Sequence, residues 1–128
     1  MVSKNTSIKI LGAKRVARFL DGASDETYNK VNQEVKKAGL FIQAEVQQSI
    51  AGHRAEPKSV DTGRFLNSVK STQKKKLTAN IETNVSYAGV LEYGGVGRKP
   101  RKHFQNTATR NTKKVQEFIE KKVKEAIR

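Results

Sequence analysis

A chain of 128 residues, 35% of them apolar, supplies one hydrophobic core and excludes two. Leu, Ile, Val and Phe make up 23% of it, just above the roughly 20% below which a highly charged chain stays unfolded, and the net charge of +14 comes from 26 Lys and Arg against 12 Asp and Glu. Having no cysteine, the chain is excluded from disulfides, thiolate metal sites and Cys nucleophiles, and its longest apolar run, Leu40-Phe41-Ile42, is far short of a membrane span or a signal h-region.

Ser7 to Leu11 alternate weakly and predict a short strand; Val16, Phe19 and Leu20 then recur at helical steps, so residues 1–24 read as a basic N-terminal arm of strand and short helix. Ser24-Asp25 offers an oxygen to the free N–H groups of a new helix, and Asp25 and Glu26 suit its positive end. From there Val31, Val35, Ala38, Ile42, Val46 and Ile50 form one stripe, which predicts a long helix ending before Gly52. Gly39 inside it costs about 1 kcal/mol relative to Ala, so another element is expected close against its missing side chain. A polar loop from Ala51 to Thr62 follows, then a turn or two of helix through Phe65, Leu66 and Val69. Period-two alternation from Val69 to Val85 predicts a hairpin with Lys74, Lys75 and Lys76 at its solvated tip. Tyr87 to Tyr93 is a strand or helical turn, Gly94 to Lys102 a Gly- and Arg-rich loop taken as mobile, and His103 onward a second long helix on Phe104, Ala108, Asn111, Val115, Phe118, Ile119 and Val123. The fold class is α+β: two long helices packed on a small antiparallel sheet, a hairpin plus additional short strands, in a single domain over 1–128 whose core is 25–128. A small sheet gains stability from further strands or a neighbouring chain, so oligomerisation is expected.

No catalytic, cofactor or metal site is expected. His53 and His103 lack a partner at ligand spacing, since Glu56 beside Pro57 makes one pair and not a site. Glu82 and Glu92 read as surface or interface ion pairs. Gly94-Gly95-Val96-Gly97-Arg98-Lys99 fails as a phosphate loop because no Gly-Lys-Ser/Thr follows. The strongest signal is electrostatic: residues 62–81 and 93–116 carry +5 and +7 without one acid. Such charge favours a polyphosphate backbone, yet Tyr87, Tyr93 and Phe104 are not interleaved as a base-stacking platform, which leaves nonspecific DNA contact as the nucleic-acid expectation.

Val60-Asp61-Thr62-Gly63-Arg64-Phe65-Leu66-Asn67-Ser68-Val69 and, some twenty residues on, Tyr87-Ala88-Gly89-Val90-Leu91-Glu92-Tyr93-Gly94 resemble paired motifs of tailed-phage neck and tail-completion proteins. The order matches across residues 27–128, while the family's Arg-Pro-Phe lead-in to the last helix stands here as Arg101-Lys102-His103-Phe104, with the proline at Pro100. The resemblance implies a non-enzymatic virion protein, assembled in the host cytoplasm, with no membrane partner. It would form a homo-oligomeric ring, a hexamer before a dodecamer, that joins the portal-side connector to the tail or completes the tail. It also implies that Asp61, Thr62, Gly63 and Arg64 shape a turn, that Tyr87, Glu92, Tyr93 and Gly94 belong to a motif or interface, and that Arg98, Lys99, Arg101 and Lys102 meet a partner subunit or DNA. Physically, Asp61 can accept N–H bonds from its own turn, and Glu92 can pair with Arg64 or with Arg98 or Arg101 of a neighbouring subunit. The other functional class in view is a small basic cytosolic nucleic-acid-binding protein of ribosomal type.

Overall fold

The computed structural model of the chain describes residues 7–11, 24–60, 63–95 and 97–126. The short helix expected around Val16 to Leu20, and Asp61 and Thr62 of the turn motif, lie outside the described residues.

Helix α1 spans Asp25–Ile50. Ser24 caps it in extended conformation, its side chain accepting the Thr27 N–H at 3.2 Å, and the stripe from Val31 to Ile50 is buried along its length. Gly63, at φ 82°, turns the chain into α2 (Arg64–Ser68), which seats Phe65 in the core. Strands β2 (Lys70–Thr72) and β3 (Thr78–Glu82) form the expected hairpin, with Lys74, Lys75 and Lys76 exposed at its tip. Asn32 of α1 holds that tip by accepting the Leu77 N–H at 2.7 Å and exchanging amide bonds with Gln73. Helix α3 (Ala88–Tyr93) and helix α4 (His103–Ala126) complete the chain; of the strand and helical-turn alternatives for Tyr87 to Tyr93, the helix forms.

The sheet order is β1-β3-β2, antiparallel throughout, with β1 (Ser7–Leu11) set so that Ile8 faces Ile81 and Ile10 faces Ala79. Of residues 1–24, the strand expected at Ser7 to Leu11 forms and supplies an edge of the sheet beside the hairpin, and Ile10 is buried with Ala79 and Ile81 because all three lie on the helix-covered face. Lys9, Thr78 and Asn80 alternate onto the opposite face, where Lys9 and Thr72 flank the central Asn80. The result is α+β, with α1 and α4 packed on one another and on one side of a three-stranded sheet.

Gly39 sits at a close crossing of α1 over the sheet. A Cβ there would come within 2.8 Å of the Ala79 Cβ, and nearer still to the Ser71 Oγ, so the helix crosses β2 and β3 only because that position has no side chain. One expectation needs correcting: Phe118 was placed on the core stripe of the last helix but is 38% exposed. Its ring meets Phe41 edge-on at 6.1 Å with the Lys114 ammonium over both rings, while Val115, Ile119 and Val123 carry the buried face. Helical spacing brings positions 115, 118, 119 and 122 near one seam, and 118 falls on its outer flank.

Candidate functional site

At the end of the molecule where α1 stops and α4 begins, three segments distant in sequence are tied by buried polar groups. Ser49 is the last polar residue on the buried side of α1, and Glu56 folds back from the following loop with its side chain only 2% exposed. The Ser49 hydroxyl donates to Glu56 Oε1 at 2.6 Å, so its oxygen must accept the proton on His103 Nδ1, 2.7 Å away. This fixes the tautomer: Nε2 is bare and accepts the Ser59 hydroxyl at 2.7 Å. Arg110 grips Glu56 with both terminal nitrogens at 3.0 Å, and Asn106 donates to Oε2 at 3.1 Å. Burial alone would raise the Glu56 carboxyl, but the bonds from Arg110, Ser49 and Asn106 outweigh it and hold it at about 2. Burial pushes His103 down to about 4, with the Arg101 charge acting in the same sense against the pull of Glu56.

Glu92 stands beside this network on α3, 2% exposed. Its two oxygens accept the N–H groups of Phe104 and Gln105, each at 2.8 Å, and so cap the start of α4 from another helix. That overturns the surface or interface ion pair expected of Glu92: neither Arg64 nor a basic loop side chain is its hydrogen-bond partner. The reason lies at the start of α4, where Arg101, Lys102 and His103 put no acceptor in the capping position and Lys102 takes a left-handed φ of 55°. Burial raises the Glu92 carboxyl, and the Phe104 and Gln105 bonds oppose that rise. Glu82, by contrast, makes the expected surface pair, with Lys74 at 3.3 Å.

Residues 94–95 and 97–102 form a finger tied to the fold at several points. Gly94 at φ 83° closes its base, where a Cβ would lie 2.9 Å from the Arg98 carbonyl, and Gly95 and Arg98 exchange backbone bonds at 3.0 and 3.3 Å. The Arg101 N–H donates to the Leu91 carbonyl at 2.7 Å, and its guanidinium donates to the Lys58 carbonyl and the Ser59 Oγ, both at 2.8 Å. Of the four basic residues anticipated here, Arg101 is therefore spent on the fold, whereas Arg98, Lys99 and Lys102 are exposed. Arg98 and Lys99 line an open cleft of about 510 Å³ with Pro57, Val90, Pro100 and Arg101. Val90 in its lining is 44% exposed, Tyr93 at the end of α3 is 54% exposed, and Tyr87 lies exposed against Phe65.

In order of residues, Ser59, His103, Ser49 and Glu56 imitate a nucleophile and its proton relay, but the arrangement is chemically closed. The Ser59 oxygen is already occupied by Arg101 and His103, an imidazole held at about 4 is a weak base near neutral pH, and neither residue lines the cleft. Among the described residues no group of three or more His, Asp or Glu stands where it could hold a metal, and no helix is long and apolar enough to cross a membrane. Of the turn motif, Gly63 supplies the positive φ and accepts the Asn67 N–H, and Arg64 begins α2. Sequence reading missed Glu56, Ser49 and His103 as a unit. The available signal was Ser49 three residues beyond Val46, together with His103, Thr107 and Asn111 at four-residue steps leading to Val115: polar residues set on apolar stripes.

A family model described as "Bacteriophage HK97-gp10, putative tail-component" matches residues 14–94, which take in α1, the hairpin and α3 and stop at the base of the finger. No curated protein and no solved structure matches the chain.

Proposed function

We propose, since this chain belongs to the HK97-gp10-like family of bacteriophage tail components, that it is a non-enzymatic subunit closing into a ring in the neck of the virion. The ring, a hexamer in this reading, joins the portal-side connector to the tail or completes the tail's upper end. Binding area is the mechanism. One contrast carries it: the groups that resemble catalytic machinery are bonded to one another, whereas Tyr87, Val90, Tyr93, Arg98 and Lys99 present exposed surface. Tyr and Arg on rigid elements are what protein interfaces enrich. A ring larger than a dimer also needs two different patches, one meeting the other on the next subunit. Leu40, 59% exposed beside a groove lined by Lys36, Ser71, Thr72 and Gln73, and Tyr87, 42% exposed against Phe65, supply two such patches, and neither lines the Arg98–Lys99 cleft.

Quantitative mass spectrometry of purified virions tests this reading. Six copies of the chain per particle, or twelve, support it, and absence from purified particles would contradict it.

A further inference from the structure

Among the described residues, most carboxylates already have a basic neighbour or a helix terminus. Glu26, Glu45, Glu56, Glu82 and Glu125 pair with Lys30, Arg54, Arg110, Lys74 and Lys122, and Glu92 is bound to the start of α4. Along the helices, Glu34 lies between Lys30 and Lys37, and Glu117 between Lys113 and Lys121, at the three- and four-residue steps that make side chains neighbours. Asp25 faces the positive end of α1. Around the finger the balance is reversed. Lys58, Arg98, Lys99 and Lys102 are exposed, and Glu56 and Glu92, the acids nearby among the described residues, are buried and bonded inward.

We propose that this finger docks an acidic surface of a different virion protein, and not a second copy of this chain. The inference rests on the ring reading and names the partner of one of its surfaces. Among its described residues a second copy shows no cluster of acids without basic neighbours, and two basic fingers repel. DNA is disfavoured by the neighbours of the charge: Pro57, Val90, Leu91 and Pro100 put apolar groups beside Arg98 and Lys99 in the cleft, which a side chain of a protein partner can cover and a phosphate backbone cannot. Arg98 and Lys99 are also free to act, because neither side chain makes a hydrogen bond or ion pair among the described residues. The finger is pre-shaped by Gly94 and by Arg101 on Lys58 and Ser59, so little order has to be imposed on binding.

Two double variants, Arg98→Glu with Lys99→Glu and Arg98→Gln with Lys99→Gln, test the inference in a phage whose own copy of the gene is interrupted and complemented. Both should keep the parent's thermal unfolding and oligomeric mass and lose infectious yield, the Glu pair by about 100-fold or more. Their affinity for a 20-base-pair duplex should change its log–log salt slope by less than about 0.5. A photo-crosslinking residue at position 99 in assembled particles should attach to an Asp- and Glu-rich peptide of another polypeptide. Crosslinks to this same chain, or oligomers lost in the variants, would overturn the inference in favour of a contact between copies. A salt slope reduced by about 2 along with the yield would overturn it in favour of nucleic acid. Undiminished yield would overturn it outright. Each of these leaves the ring reading standing, which fails instead if the parent chain is absent from purified particles.

Discussion

Replacing Glu56 by Gln keeps the shape of the polar lock and removes its charge. Holding this carboxyl at about 2, against an ordinary 4.5, corresponds to about 3 kcal/mol at about 1.4 kcal/mol per tenfold change in proton affinity. The Arg110 side chain is 34% exposed, so water screens part of that attraction and about 2 to 3 kcal/mol is the expected loss at pH 7. The sign follows from linkage: a carboxyl whose folded value lies below its unfolded one contributes stability above pH 4.5 and loses it as pH falls toward 2. Urea unfolding of parent and variant, at a concentration where each is a single species, should therefore show the largest difference at pH 7. That difference should shrink from pH 4.5 downward and come close to zero near pH 2. A difference under about 0.5 kcal/mol at pH 7, or one that does not change with pH, would refute the lock as a charged, buried unit.

His103 adds a second acid-labile contribution: held near 4 in the fold against an ordinary 6.5, it favours the neutral form, so stability should fall by up to about 3 kcal/mol between pH 6.5 and pH 4 and level off below. His103→Gln should remove that segment of the profile; an unchanged profile would contradict it. Glu92, raised by burial, has the opposite sign and offsets part of the loss, while Glu92→Ala should cost about 1 to 3 kcal/mol by stranding the Phe104 and Gln105 N–H groups. Ile42→Ala should cost about 2 to 5 kcal/mol, whereas Phe118→Ala, on the outer flank, should cost less than about 1.5 kcal/mol; equal losses in denaturant titrations would show the flank to be misplaced. Gly39→Ala should destabilise by about 1 to 2 kcal/mol, because overpacking against Ala79 exceeds the helix-propensity gain, and a stabilised variant would refute the close crossing.

Local signals in the sequence carry most of this architecture. Ser24-Asp25 starts α1 where a capping oxygen and first-turn acids belong, the α1 stripe predicts the buried face, and Gly39 predicts a close neighbour that turns out to be Ser71 and Ala79. Alternation finds the hairpin but not the role of β1, because pairing with β3 is a long-range event that leaves only a weak period-two trace in Ser7 to Leu11. The site was less legible for the same reason. Ser49 and His103 are 54 residues apart, as are Glu56 and Arg110, and nothing nearby in the chain marks a loop glutamate for burial. Glu92 left a negative clue: the run Arg101-Lys102-His103 opens a long helix without a capping acceptor, so one had to come from elsewhere in the fold.

Cryo-electron microscopy of purified particles, reconstructed without imposed symmetry along the head–tail axis, should find α1 and α4 packed on the three-stranded sheet, repeated as a closed ring in the neck. The Arg98–Lys99 finger of each subunit should meet a different protein. Density for this fold elsewhere in the particle, or a neck with no ring of these subunits, would contradict the account.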